Sequence, residues 1–325
     1  MKARFFAASA ASAALLAACS GGGSTIVPSQ NNNNGASQPQ TASSEFRTVS
    51  TFVAQNTATG DYVRIFPARD VLDALRASSN GRTTQAVSNL TYHGGPVQTA
   101  PKIYVVYWGT AWSGSGDPNG ERSYYNSFIS LVGGSRWLNS VTQYTQSNGA
   151  HVGNASGSFV GSYIDTGSNP PSAPTQTNIA NEAARAAAHY NDYSSSASYV
   201  VAMPHGIKPS GFGTQYCAWH SAATVSGKGT ISYTNLPYMS DAGYSCGVGS
   251  VNSPGTLDGV SIVGGHEQGE TETDPQPNTG WVDLTNNSEN GDKCAWTGLE
   301  DNPYVGNYPT QPLWSNASSS CVQSY

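Results

Sequence analysis

His266-Glu267-Gln268-Gly269-Glu270 is the stretch of this chain whose residue types and spacing point most directly to chemistry. Asp258, which can cap a helix, and the apolar Val260, Ile262 and Val263 precede it, and Pro275 follows. The residue before a proline is pushed out of the helical region, so the segment reads as a helix that stops there. Positions four apart share a helix face, so His266 and Glu270 can address one metal ion while Glu267 stands one position round. An H-E-x-x-H helix works this way, with two ligands flanking a general base. Here a carboxylate, which zinc accepts, takes the second ligand position. A metal that lowers the pKa of a bound water to about 7, beside a glutamate base, is a hydrolytic apparatus. The third ligand is expected from Glu289-Asn290-Gly291-Asp292-Lys293-Cys294, where Glu289 and Asp292 are both eligible. Zn²⁺ is the expected ion. Two or three carboxylates around it would weaken it as a Lewis acid and favour a harder Ca²⁺ or Mn²⁺ as the alternatives. The competing reading is a solvated acidic helix end, because Glu267, Glu270, Glu272 and Asp274 are dense charge. Gly264, Gly265 and Gly269 each weaken a helix by roughly 1 kcal/mol relative to Ala. They make sense where another part of the chain packs closely against them.

Elements must hold these residues. Ile103-Tyr104-Val105-Val106-Tyr107 is a short, β-branched apolar run that reads as a buried strand, as does Tyr199-Val200-Val201-Ala202-Met203 before Pro204. Residues 158–164 are strand-like. Tyr124, Phe128, Leu131 and Val132 form one helical stripe within residues 122–132, and Trp137, Val141 and Tyr144 continue a second helix. Residues 179–189 are Ala-rich and helical, and a short helix is expected over residues 70–77. Gly280-Trp281-Val282-Asp283 reads as a turn. Strands alternating with helices predict an α/β fold, a mixed sheet packed with helices, as a zincin-like single main domain over residues 91–325. Residues 45–90 form an N-terminal extension to which the pattern assigns no architecture.

The first 18 residues read as a signal peptide. Lys2 and Arg4 precede an apolar run too short for a bilayer, which needs roughly 20 residues. Leu16-Ala17-Ala18-Cys19 has the form of a lipobox, so Cys19 is expected to become a lipidated N-terminus, anchored stably by several acyl chains. Ser20 rather than Asp follows the cysteine, and resemblance to enterobacterial lipoprotein sorting implies the outer membrane. Residues 19–44, with Gly21-Gly22-Gly23 and Asn31 to Asn34, read as a flexible linker. Charged residues make up 10% of the chain, against roughly 25% in ordinary soluble domains. The net charge of −6, with no basic cluster, argues against a nucleic-acid partner. An exported chain enters an oxidising compartment. Of five cysteines, four remain after Cys19, and they allow three pairings. Pairing neighbours along the chain, Cys217 with Cys246 and Cys294 with Cys321, is the simplest. Each closed loop would contribute roughly 3 to 4 kcal/mol by the chain-entropy model.

The order of several motifs resembles the phosphate-induced, exordium-like cell-wall proteins of plants and their bacterial relatives. Ile103 through Gly109 is similar to that family's opening strand. Trp137-Leu138-Asn139-Ser140-Val141 with Tyr144 resembles its W-W-x-T-V-x-x-Y segment, and Tyr216-Cys217-Ala218-Trp219-His220 its C-G-F-H segment. Leu236-Pro237-Tyr238 and Cys246 recur at the expected distance. Asp258-Gly259 through His266-Glu267, Glu270 and Asp274-Pro275 resembles its D-G-x-x-S-V-x-x-H-E-x-x-E-x-x-T-N-P, and Glu289, Gly291, Asp292 and Cys294 its E-I-G-D-x-C. Gln268 and Gly269 depart from the Leu-Ala usual there. The likeness covers about residues 101–294, and it implies a fold and a metal-binding helix rather than a reaction.

The expectation is a membrane-anchored, extracytoplasmic, monomeric metallohydrolase, with Glu267 as base and a peptide or protein as substrate. The alternative is a non-catalytic envelope lipoprotein that binds glycan or protein. Gly243-Tyr244-Ser245-Cys246-Gly247 fits G-x-S-x-G, but that motif needs a strand before it and a helix after it, and its flanks are polar and loop-like. His205 and His220 follow apolar stretches and could line a cleft, although a histidine beside a strand is more often structural.

Overall fold

Three strands come first among the residues described by the computed structural model, which are 45–78 and 88–325: β1 (Phe46–Thr48), β2 (Val53–Asn56) and β3 (Tyr62–Pro67). Helix α1 (Arg69–Ser78) and β4 (Thr91–Tyr92) follow. Next come β5 (Lys102–Trp108), α2 (Glu121–Val132), β6 (Phe159–Asp165), α3 (Gln176–Tyr190) and β7 (Ala197–Ala202). A long hairpin, β8 (Tyr216–Val225) and β9 (Gly229–Leu236), leads to α4 (Asp258–Thr273). Short strands complete the chain: β10 (Trp281–Val282), β11 (Glu300–Asn302), β12 (Tyr308–Thr310), β13 (Leu313–Ser315) and β14 (Ser320–Val322). The signal segment, Cys19 and the linker lie outside the described residues. Among those described, no helix is long and apolar enough to cross a membrane.

Eight strands form one mixed sheet in the order β1-β2-β3-β8-β9-β7-β5-β6. Neighbours from β1 to β9 run antiparallel, whereas β9, β7, β5 and β6 are parallel. Residues 45–67, which showed no pattern in the sequence, are thus part of the main sheet rather than a separate piece. Alternate residues of β8 face opposite sides. Ser221 bonds Gln176 of α3 on one side (3.4 Å), and His220 bonds Glu267 of α4 on the other. The α/β reading with a mixed sheet is what the structure shows, with α3 on one face and α2 and α4 on the other.

Local chemistry explains the ends. Thr175 and Asn178 form a capping box at the start of α3, and Asp117 accepts the Glu121 and Arg122 N–H groups at the start of α2. The stretch from Trp137 to Tyr144 is a 3-10 turn over Leu138–Gln143 rather than a full helix. Trp281 and Val282 pair with β4 rather than only turning. The Gly243–Gly247 motif lies in a 3-10 segment, Met239–Cys246, and Ser245 Oγ donates to Asp70 (2.7 Å), which leaves no nucleophile elbow. Both neighbour-pair disulfides, Cys217–Cys246 and Cys294–Cys321, are formed.

Helix α4 is buried along its whole length, from Asp258 to Thr273. Its glycines are where neighbours come closest. A Cβ on Gly264 would lie 2.5 Å from Tyr125 Cε2, and one on Gly265 3.0 Å from Trp137 and 3.1 Å from Phe128. All three rings are buried, so none can swing away. Gly264→Ala should therefore destabilise the fold by about 1–3 kcal/mol despite alanine's better helix propensity. A urea melt showing Gly264→Ala equal to or more stable than the parent would refute that packing.

Candidate metal centre

Five elements and loops bring the ionisable residues together. Helix α4 supplies His266, Glu267 and Glu270. β8 supplies His220, and β3 supplies Arg64, its register partner across the sheet. The loop after β10 supplies Glu289 and Asp292, and Gln311 follows β12. That loop is fixed to the helix. Asn290 Nδ2 donates to Gly269 O (2.9 Å) and Thr273 Oγ1 (2.8 Å), and the bare Gly269 lets Asn290 and Leu313 close in. Asp274, just past the helix end, accepts the N–H groups of Asn278, Thr279 and Gly280, turning the chain back. The Cys294–Cys321 disulfide holds the far end of the loop to β14.

His266 Nε2 lies 3.1 Å from Glu270 Oε2 and 3.7 Å from Asp292 Oδ1. Glu270 Oε1 accepts Asp292 N–H at 2.9 Å, so its other oxygen is aimed at the histidine. Of the two loop acids, Asp292 is the one that joins His266 and Glu270. Glu289 groups instead with Glu270 and His220, lying 3.8 Å from His220 Nε2 and 3.1 Å from Arg64 Nε. Glu267 Oε2 is 3.1 Å from His220 Nδ1. Gly291 has no room for a side chain, because a Cβ there would sit 2.7 Å from His266 Nδ1 and 2.9 Å from Glu270 Oε1. Phe66 stacks on the His266 ring with centroids 3.9 Å apart.

Every side chain in this cluster is 0–1% exposed, which overturns the solvated helix end. Burial is the dominant force on their protonation. It pushes Glu270 up to about 8, against the pull of Arg64. Burial also drives Glu267, Glu289 and Asp292 well above the usual carboxylate range, and neighbouring carboxylates add to it. It holds His266 down to about 4 and keeps His220 neutral well below its usual value. Several buried atoms have no hydrogen-bond partner, among them His266 Nε2, Glu270 Oε2, Asp292 Oδ1, His220 Nε2 and Glu267 Oε1. Buried polar atoms are rarely left so, and a cluster of them could hold an ion or ordered water.

Gln311 sets the His266 tautomer. Its Nε2 donates to Gly291 O at 2.8 Å and lies 3.0 Å from His266 Nδ1. In that orientation Nδ1 accepts and Nε2 carries the ring proton. With the amide turned over, Oε1 would receive an Nδ1–H and free Nε2 for an ion, at the cost of the bond to Gly291 O.

The sequence pattern brought out His266, Glu267, Glu270, Glu289 and Asp292, and the structure gathers all five. It gave His220 little weight and missed Arg64 and Gln311. In the sequence His220 stood out only as a histidine after an apolar stretch that could line a cleft, within a segment that resembles C-G-F-H. No family model matches the chain, and neither a curated protein nor a solved structure matches it.

Proposed function

We propose that the protein is a membrane-anchored, extracytoplasmic metal-dependent hydrolase with a zincin-like helix, acting on peptides or proteins in the cell envelope or on secreted substrates. One observation carries this reading. His266 Nε2, Glu270 Oε2 and Asp292 Oδ1 are buried, lack partners, and belong to a ligand set whose atoms lie within 4.8 Å of one another. Tetrahedral ligand atoms at roughly 2.1 Å from zinc stand about 3.4 Å apart. The distances of 3.1 and 3.7 Å bracket that spacing. One histidine and two carboxylates suit Zn²⁺, and their hardness also suits Mn²⁺ or Ca²⁺. A bound ion would supply Lewis acidity at this point. Glu267 has an oxygen, Oε1, without a partner; a bound cation would favour its ionised form, which could take a proton, while His220 holds the other oxygen in place. Asp292 also borders a surface cavity of about 230 Å³ with Phe52, Leu72, Leu75, Arg76 and Lys293, but its carboxylate is 1% exposed, so a substrate would reach the site only if the 289–294 loop moved. The exordium-like resemblance carries these residues in the same order.

The burial of the same side chains favours a second reading. A metal there would tie α4 to the 289–294 loop, in a lipoprotein that binds envelope glycan or protein without cleaving it. Metal analysis of the purified protein and a peptide-library assay at neutral pH separate the two. The hydrolase reading expects one ion per chain and cleavage that chelation stops. Glu267→Gln should keep the ion and lower turnover by roughly 10²–10⁴-fold. Cleavage that persists after chelation rejects the metallohydrolase. Bound metal with no cleavage leaves the binding lipoprotein.

A further inference from the structure

The four parallel strands end side by side, β5 at Trp108, β6 at Asp165, β7 at Ala202 and β9 at Leu236; the loops after β5, β6 and β7 line a second crevice, and Asp241, after β9, supports His205 in it. The chain runs from β5 to β6 on one side and then returns past β5 to β7, so the strand order turns back at β5. Ligands of open α/β sheets bind outside the carboxyl ends of the strands at such a point. Here a cavity of about 430 Å³ is lined by Thr110, Ser115, Asn169, Pro170, His205 and Ile207, among others. That is within the range of small-molecule sites. None of these residues belongs to the metal centre.

The crevice is built rather than incidental. His205 Nδ1 lies 2.5 Å from Asp241 Oδ1, and the other Asp241 oxygen accepts Gly206 N–H at 2.7 Å. The Asp241 side chain is 6% exposed and that of His205 52%. A neutral imidazole that gives Nδ1–H to this carboxylate has Nε2 left as an acceptor. Asn169 Oδ1 accepts both Thr110 N–H (2.9 Å) and Thr110 Oγ1–H (3.0 Å), which leaves its Nδ2 as a donor. Gly109, at φ 103°, permits this closeness, since a Cβ there would sit 2.7 Å from Pro170. His205 N–H donates to Gly116 O (2.9 Å), joining the loops after β7 and β5.

The lining defines the ligand class. It contains no Lys, Arg, Asp or Glu. Lys208 beside it gives its Nζ to Asp241 O (3.4 Å). An anion would meet the Asp241 carboxylate behind His205, which offsets the Lys208 ammonium, and a wholly apolar ligand would strip water from His205, Asn169 and the hydroxyls without replacing their bonds. A hydroxylated ring meets both demands, with hydroxyls for the polar groups and C–H faces for Pro170 and Ile207. We infer that this crevice binds a neutral saccharide unit, with His205 Nε2 accepting a hydroxyl hydrogen bond and Asn169 Nδ2 donating one.

The test is NMR titration of the purified full chain carrying isotope-labelled histidine, with N-acetylglucosamine, cellobiose and inorganic phosphate as probes. The His205 ring signals, assigned by their loss in His205→Ala, should move with at least one saccharide and not with phosphate. His205→Ala and Asn169→Ala, each checked for an unchanged melt, should weaken saccharide binding by roughly tenfold. Movement with phosphate alone, no movement with either saccharide, or saccharide affinity unchanged in both variants would each overturn the assignment.

Discussion

Glu270→Gln should remove tight metal binding while leaving the fold intact. Glu270 belongs to both sets of potential ligands, with His266 and Asp292 on one side and with His220 and Glu289 on the other. Glutamine has the same shape, and its carbonyl can still accept Asp292 N–H, the bond that Glu270 Oε1 accepts at 2.9 Å. The substitution therefore deletes a ligand charge and little else. Affinity should fall by more than the roughly 10–100-fold that follows loss of a group supporting a ligand. Stability should move the other way. Burial raises Glu270 from an ordinary 4.5 to about 8, so the folded metal-free protein holds a proton that the unfolded chain has released. That difference costs stability progressively as pH rises from about 4.5 to about 8, and it is absent below that window. Without metal, the variant should match the parent near pH 4.5 and exceed it at pH 8. Competition with a chelating dye gives the affinity, and melts in EDTA at both pH values give the stability. Equal metal affinity in variant and parent would place the ion elsewhere.

The helix was legible because its marks are local. Pro275, the apolar residues at 260, 262 and 263, and the four-residue spacing of His266 and Glu270 all lie within one short window, and α4 ends at Thr273 as the proline requires. The sequence could not say that the acidic end is buried. Four carboxylates read as surface until the sheet, α2 and the 289–294 loop close over them. β5 and β7 were legible for the same local reason, as unbroken apolar runs.

Arg64 and His220 were not legible in this way. Their strands are covered on both faces along the stretches that hold them, so neither Tyr62–Pro67 nor Tyr216–Val225 shows the two-residue alternation that marks a half-buried strand. An arginine in such a run reads as an edge or a loop. Its function depends on partners more than 200 positions later, a distance over which spacing carries no information. Gln311 is silent for the same reason, since its value lies in facing His266 Nδ1. Residue type was informative where ligands share a helix turn, and uninformative where the sheet brings together groups that are distant in sequence.

Arg64→Met should test how much of the fold rests on that one guanidinium. Arg64 is fully buried. Its Nε stands 3.1 Å from Glu289 Oε2 and 3.7 Å from Asp274 Oδ2, and one NH group donates to Asn287 O at 2.8 Å. Methionine keeps much of the stem and its packing, so the change is largely one of charge and hydrogen bonds. Removing one partner of a buried ion pair destabilises by about 3–5 kcal/mol, because the other partner keeps its desolvation penalty. At neutral pH the metal-free variant should lose at most that order of stability, because burial already holds Glu289 toward its neutral form. The loss should depend on pH in a fixed direction. Burial already raises Glu289 above its ordinary 4.5, with Arg64 opposing the rise, so deleting Arg64 raises the folded value further. The parent shares the unfolded value and already holds Glu289 well above it, so this group's extra deficit appears only above the parent's own folded value and widens toward alkaline pH. A divalent ion in the cluster supplies the missing positive charge. Saturating Zn²⁺ at about 100 times its dissociation constant should restore roughly 2.7 kcal/mol. Urea melts at pH 5 and pH 8, with EDTA or with zinc, measure all three effects. A variant as stable as the parent at pH 8 in EDTA would mean that these carboxyls are already neutral in the folded protein, and that Arg64 does not hold an anionic cluster in place.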